Sequence, residues 1–180
     1  MINPMGLENR TILVTGASSG IGRETAILLS QLGARLIIVG RNSEQLEKTI
    51  SLLEGKEHRI NAFDLSAVDD IPRWMKDITS KTGPLHGLVH SAGMQFTSPL
   101  RITTAESIEK MMRINVTAAL CLAKAFRQKN VSTAGSSIVY LSSVMGIVGQ
   151  SGQTAYSASK GALVTLAKSL TLELSRENIR

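Results

Sequence analysis

Tyr156 and Lys160 stand four residues apart in the run Tyr156-Ser157-Ala158-Ser159-Lys160. On a helix, that spacing puts both side chains on one face, free to point into one cleft. A free phenol titrates near pH ~10 and is a poor acid or base at neutral pH. A neighbouring ammonium favours the phenolate. Moving the phenol to about 7 needs roughly 4 kcal/mol, which two close cations in a dry site could supply. An isolated Tyr–Lys pair is common on solvated helix faces, so its meaning depends on its surroundings. Ser143 lies 13 residues before Tyr156, with Ser142 beside it as the neighbouring candidate.

A second constellation lies near the start of the chain. Thr15-Gly16-Ala17-Ser18-Ser19-Gly20-Ile21-Gly22 follows an apolar run and opens an amphipathic one. Glycines at a strand-to-helix turn suit a dinucleotide phosphate cradle; glycines elsewhere signal little. Gly16 can take a tight turn, Gly20 lets backbone approach a pyrophosphate, and Gly22 lets the helix pack near the strand. The helix N-terminus adds free N–H groups and a positive dipole end. The bland alternative is a glycine-rich turn that binds nothing.

The elements that would position these groups alternate along the chain. Short apolar runs at 11–14, 36–39, 59–63, 87–90 and 137–141 read as strands. Helical patterns fall at 21–32, 43–53 with Ser43 as cap, 69–79, 104–127 and 154–176. Non-alternating apolar strands separated by helices mean a parallel sheet covered on both faces. The expected fold is α/β, a Rossmann-type doubly wound parallel sheet in three layers, with residues 1–180 as one domain. Ligands then bind beyond the carboxyl ends of the strands, where the glycine turn and Ser143 both fall.

The residue after the second strand selects between nicotinamide cofactors. A carboxylate there binds the ribose hydroxyls of NAD. This chain has Gly40 and then Arg41. No carboxylate repels a 2′-phosphate, and a guanidinium can bind one, which favours NADPH over NADH. A solvated Arg41 ahead of a helix cap is the competing reading.

The motifs together resemble the short-chain dehydrogenase/reductase family. Thr15-Gly16-x-x-x-Gly20-Ile21-Gly22, Ser91-Ala92-Gly93, Asn115, Ser143 and Tyr156-x-x-x-Lys160 occur in family order and spacing, from about Leu7 to Arg180. His90-Ser91 departs from the usual Asn before Ala-Gly, and His90 reads as a strand-end structural histidine. The resemblance implies that Ser143 polarises a substrate carbonyl and Tyr156 is the general acid/base. It gives Lys160 the tuning of Tyr156 and the nicotinamide ribose, and Asn115 a water in a proton relay to Lys160. It also implies cofactor contacts from Gly16, Ser18, Ser19, Gly20, Ile21, Gly22, Arg41, Asp64, Ala92, Gly93, Tyr156 and Lys160, with Asp64 at the adenine. Asp64 reads equally well as a turn aspartate, and Asn115 as an exposed helical residue. The implied reaction is hydride transfer between NADPH and a carbonyl or alcohol, with the 3-oxoacyl-carrier-protein reductase group the most similar subfamily.

Bulk composition sets the outer limits. With 43% hydrophobic and 19% charged residues, a buried core is expected rather than disorder. The net charge of +6 is dispersed, with no basic run, so a solvated surface is favoured over nucleic-acid binding. Cys121 is the single cysteine; it can form no internal disulfide, lacks partners for a metal site, and reads as a buried core thiol. Met1–Asn9 shows no signal-peptide pattern and no apolar run reaches membrane-spanning length, which points to the cytoplasm. The expected partners are a small carbonyl or alcohol substrate, free or carrier-bound, and further copies of the chain in a dimer or tetramer. Family members usually continue for another sixty or more residues, so the fifth strand is expected to be an unpaired edge. The alternative to an enzyme is a non-catalytic nicotinamide-dinucleotide-binding module.

Overall fold

The structure, a computed structural model, describes residues 6–180. The segment Met1–Asn9, read above for a secretion signal, thus lies partly outside the described residues. In chain order the elements are β1 (Thr11–Thr15), α1 (Gly20–Gln31), β2 (Arg35–Gly40), α2 (Ser43–Ile50), β3 (Arg59–Ala62) and α3 (Ile71–Thr82). Then come β4 (Leu85–His90), α4 (Ala105–Met112), α5 (Ala118–Phe126), β5 (Ser132–Tyr140), α6 (Met145–Val148) and α7 (Thr154–Leu174). The strands form one parallel sheet in the order β3-β2-β1-β4-β5. The order reverses between β1 and β4, and the crevice expected of such sheets opens there.

Both faces of the sheet are covered, as the apolar strands require. Along β1 and β2, Leu13, Ile37 and Val39 face a cluster with Ile71 and Met75 of α3 and Leu122 and Phe126 of α5. Their neighbours Ile12, Val14, Leu36 and Ile38 face Ala26 of α1 and Leu46 of α2. Cys121 is half-buried against the first cluster rather than fully inside it. Among the described residues, no helix is long and apolar enough to cross a membrane.

Several boundaries depart from the expectations. Asn42, not Ser43, caps α2; its extended backbone lets its side chain accept the Gln45 N–H at 3.0 Å. The 104–127 helix is broken by a π-turn over Arg113–Thr117. β5 begins five residues early, at Ser132. Its outer edge is not bare. Asn178 takes a left-handed conformation (φ 55°) and returns the chain along β5. The Ile138 N–H donates to the Arg180 carbonyl at 2.7 Å, and the Arg180 N–H to the Ser136 carbonyl at 3.1 Å. Ile179 is buried in the core beside this return. Val139, paired with Val89 on the α1–α2 side, remains half exposed.

Candidate active site

A cleft of about 460 Å³ opens at the carboxyl ends of β1, β2 and β4. Its walls include Gly16, Ser18, Ser19, Gly20 and Ile21 on one side and Tyr156 and Lys160 on the other. The glycines have distinct structural reasons. A Cβ on Gly22 would sit 2.7 Å from the Gly16 carbonyl carbon, so α1 can start there only without one. Gly20 has a left-handed φ of 53°, and a Cβ there would meet nothing within 4 Å. That open space lies above the α1 N-terminus, which has no side-chain cap and no acidic residue in its first turn. Its N–H groups are thus left for an anion, and a dinucleotide pyrophosphate fits this cradle.

Arg41, Phe63, Asp64 and Leu65 line the far end of the same cleft. Asp64 is a turn aspartate, accepting the Ser66 N–H at 2.9 Å. That bond is the main cause holding its carboxyl below the ordinary value; the Ser66 hydroxyl and the Arg41 charge act in the same direction against partial burial. Asp64 therefore keeps its turn role while also facing the cleft.

At the near end, Tyr156 and Lys160 share a face of α7. The Lys160 Nζ lies 5.8 Å from the Tyr156 ring centroid and donates to the Leu141 carbonyl at 2.7 Å. Burial pushes the Lys160 ammonium below its ordinary value. Of the two serines, Ser142 lines the cleft, and its hydroxyl donates to the Lys160 carbonyl at 2.8 Å. Ser143 sits at the head of α6, where its Oγ accepts the Met145 N–H at 3.2 Å. Gly146 in that short helix packs on α7: a Cβ there would lie 2.7 Å from the Gly161 nitrogen. The glycine thus lets the serine segment approach the Tyr–Lys helix closely.

Asn115 is not an exposed helical residue: it is fully buried in the π-turn. Its Oδ1 accepts the Met94 N–H at 2.8 Å, and its Nδ2 donates to the Met94 carbonyl at 3.0 Å and the Ser159 Oγ at 3.0 Å. It clasps the Gly93–Met94 wall of the cleft to α7. Asn115→Ala would leave both Met94 backbone groups without these partners, and should cost about 2–4 kcal/mol. A urea midpoint that falls while the slope holds would show it.

His90 ends β4 and is buried, its Nδ1 2.9 Å from the Thr15 Oγ1, which also accepts the Ala92 N–H at 3.2 Å. Its Nε2 has no hydrogen-bond partner among the described residues. Burial, with a smaller contribution from the Lys160 charge, pushes its pKa down to about 4. The unfolded chain, with an ordinary histidine near about 6.5, then binds more protons between those values. Stability is complete above that window and should fall by up to about 3 kcal/mol as pH drops through it. His90→Gln should flatten this part of a stability–pH curve measured against the unsubstituted chain.

Comparison with known proteins agrees with this geometry. The short chain dehydrogenase family profile matches residues 10–180. A 3-oxoacyl-[acyl-carrier-protein] reductase from Mus musculus is 36% identical over 172 residues, covering 96% of this chain and 72% of its own. Carbonyl reductase family member 4 of Danio rerio is 32% identical with the same coverage. A short chain dehydrogenase from Escherichia coli CFT073, solved in complex with NADPH, superposes with a TM-score of 0.88 at 31% identity, covering 97% of this chain and 75% of that one. The chain belongs to the short-chain dehydrogenase family. It is an NAD(P)-dependent oxidoreductase, and it spans about 72% of the length of the mouse relative.

The residues singled out from sequence fall around the cleft or directly beside it. Gly16, Ser18, Ser19, Gly20, Ile21, Arg41, Asp64, Ala92, Gly93, Tyr156 and Lys160 surround the cleft, while Gly22 packs beneath it on the Gly16 carbonyl and contributes no lining. Asn115 is buried behind the Gly93–Met94 wall, and Ser143 stands at the head of α6 next to the cleft-lining Ser142. Arg23 and Met94, which no motif marked, hold the cradle and the Asn115 clasp.

Proposed function

We propose that the chain reduces the keto group of a 3-oxoacyl thioester, free or carrier-bound, with NADPH as its preferred cofactor. The observation that carries this reading is one cleft with a phosphate cradle and Arg41 at one end and the Tyr156–Lys160 pair at the other. Gly40 stands where a carboxylate would repel a 2′-phosphate, and Arg41 next to it supplies a guanidinium to bind one. The NADPH complex of the Escherichia coli relative supports the same preference.

When bound, the reduced nicotinamide supplies the hydride. The Ser143 hydroxyl accepts from the Met145 N–H, so its own proton is free to point at the substrate carbonyl oxygen. Tyr156 donates the proton that the developing alkoxide takes up. Lys160, its ammonium 5.8 Å from the centroid of the phenol ring, offers its charge to the nicotinamide ribose. Asn115 holds the Gly93–Met94 wall in place.

An acyl substrate is supported by the exposed apolar side chains beside the serines. Val144, Ile147 and Val148 follow Ser143 directly. Exposed Leu100 and Ile102 sit on a loop tied to Gly152 by a 2.8 Å bond from the Ser98 N–H. Exposed Ile108, Leu120 and Leu172 on the outer helices suit contacts between copies in a dimer or tetramer. The test is loss of NADPH absorbance with a series of 3-oxoacyl thioesters of rising chain length. A rate that climbs with length supports the reading; reduction of simple ketones with no response to the acyl chain sinks the substrate assignment.

A further inference from the structure

Arg23 takes no part in the steps above, yet it joins three segments at the cradle. Its Nε donates to the Thr49 Oγ1 at 3.0 Å. One terminal nitrogen donates to the Gln45 Oε1 at 3.1 Å and to the Ser18 carbonyl. The buried Thr49 hydroxyl passes on to the Ala17 carbonyl at 2.8 Å. Gln45 is tied through its N–H to the Asn42 cap of α2. All three acceptors of the guanidinium are neutral oxygens. One side chain thus holds the Ala17–Ser18 loop against α2, through Gln45 in its first turn and Thr49 in its last, and Arg41 stands immediately before the Asn42 cap of that helix.

The contact between those parts is close. A Cβ on Gly40 would lie 3.3 Å from both the Ser18 Cβ and Oγ, so the loop rests on the end of β2 one residue before Arg41. Ser18 and Arg41 both line the cleft. The pyrophosphate requires only the glycine loop and the α1 N-terminus. A 2′-phosphate also requires Arg41, which is carried by a different element. The distance between the two is what the planar fork of Arg23 sets, and a lysine point charge cannot make the same three bonds.

We propose that Arg23 is a positioning residue for cofactor selectivity, fixing the spacing between the phosphate cradle and Arg41. This inference rests on Arg41 as the 2′-phosphate clamp. The test is the dissociation constants of NADPH and NADH, by calorimetry, for the unsubstituted chain, Arg23→Met, Arg23→Lys, Arg41→Ala and the Arg23→Met/Arg41→Ala pair. Arg23→Met should weaken NADPH about tenfold and NADH less than about twofold, as for one charge-assisted contact set out of register. Arg23→Lys should recover only part of the loss, and it carries the test if Arg23→Met does not fold. In the Arg41→Ala background, Arg23→Met should leave the NADPH/NADH ratio unchanged, since the pair acts as one coupled unit. Equal weakening of both cofactors would make Arg23 a general support and overturn the proposal. So would a ratio loss that persists without Arg41. If Arg41→Ala itself leaves the ratio untouched, the clamp reading fails and the inference with it. If Arg41→Ala collapses the ratio and Arg23→Met does not, the inference alone is wrong.

Discussion

Tyr156→Phe should lower kcat by roughly 10²–10⁴-fold, the usual contribution of a positioned general acid, while the affinity for NADPH changes little. The substitution removes one hydroxyl and keeps the ring, which is half-buried and lies 5.8 Å from the Lys160 ammonium at its centroid. The cradle and Arg41 lie at the opposite end of the cleft and lose nothing. The change should therefore appear in chemistry rather than in binding. Single-turnover oxidation of NADPH and a separate binding titration distinguish the two. If the unsubstituted chain binds NADPH and reduces no carbonyl, and Tyr156→Phe behaves identically, the chain is a binding module instead of an enzyme.

Gly22→Ala should be the most damaging one-atom change in the cradle. The added methyl would press on the Gly16 carbonyl group, 2.7 Å from its carbon, and lie 3.1 Å from the Ser91 Oγ. Both Gly16 atoms are backbone and cannot rotate away. Gly16 is itself fixed at a left-handed φ of 69°, with a Cβ there only 2.7 Å from the Ala92 nitrogen. The strain would have to move α1 away from β1 or deform the turn. Overpacking of this kind costs about 1–3 kcal/mol, and more where backbone is the obstacle. The expected result is a lower thermal midpoint together with loss of the stabilisation that NADPH otherwise gives. A normal midpoint and a normal NADPH shift would mean that α1 tolerates displacement and that the cradle is less tightly built than its geometry says.

The order of strands and helices was legible because β1, β2 and β4 are short apolar runs buried on both faces, a pattern no surface element shares. The glycine turn was legible because its place between a strand and a helix restricts what it can be. The start of β5 was not: Ser132-Thr133-Ala134-Gly135-Ser136 carries no apolar signal, and it joins the strand only because Ser132 pairs with Leu85 across an irregularity before the regular ladder resumes at Ser137, a tertiary effect. The π-turn was hidden because one extra residue hardly disturbs a helical pattern read over more than twenty positions. Arg23 was hidden for a different reason. An arginine in the first turns of an amphipathic helix looks solvated, and its partners Ser18, Gln45 and Thr49 come together only when α1 and α2 pack. Asn115 was picked out for its place in a family pattern, but its clasp on Met94 becomes visible only with the loop in position.

The π-turn at Arg113–Thr117 sets two demands on one stretch of chain against each other. Left to itself, a segment of this composition gains most from continuous α-helix, because i→i+5 bonding is the rarer and less favourable arrangement. Removing one residue would let α4 and α5 fuse into that more comfortable form. The same deletion would turn whatever lies on one side of it by about 100° relative to the other, carrying Asn115 away from Met94 or away from Ser159. Local helical stability and a closed cleft wall therefore pull in opposite directions here. The number of residues between Met112 and Ala118 is under as tight a constraint as their identity. A deletion or insertion in this stretch should behave as a loss-of-function change even in a protein that still folds and still shows the full helical signal.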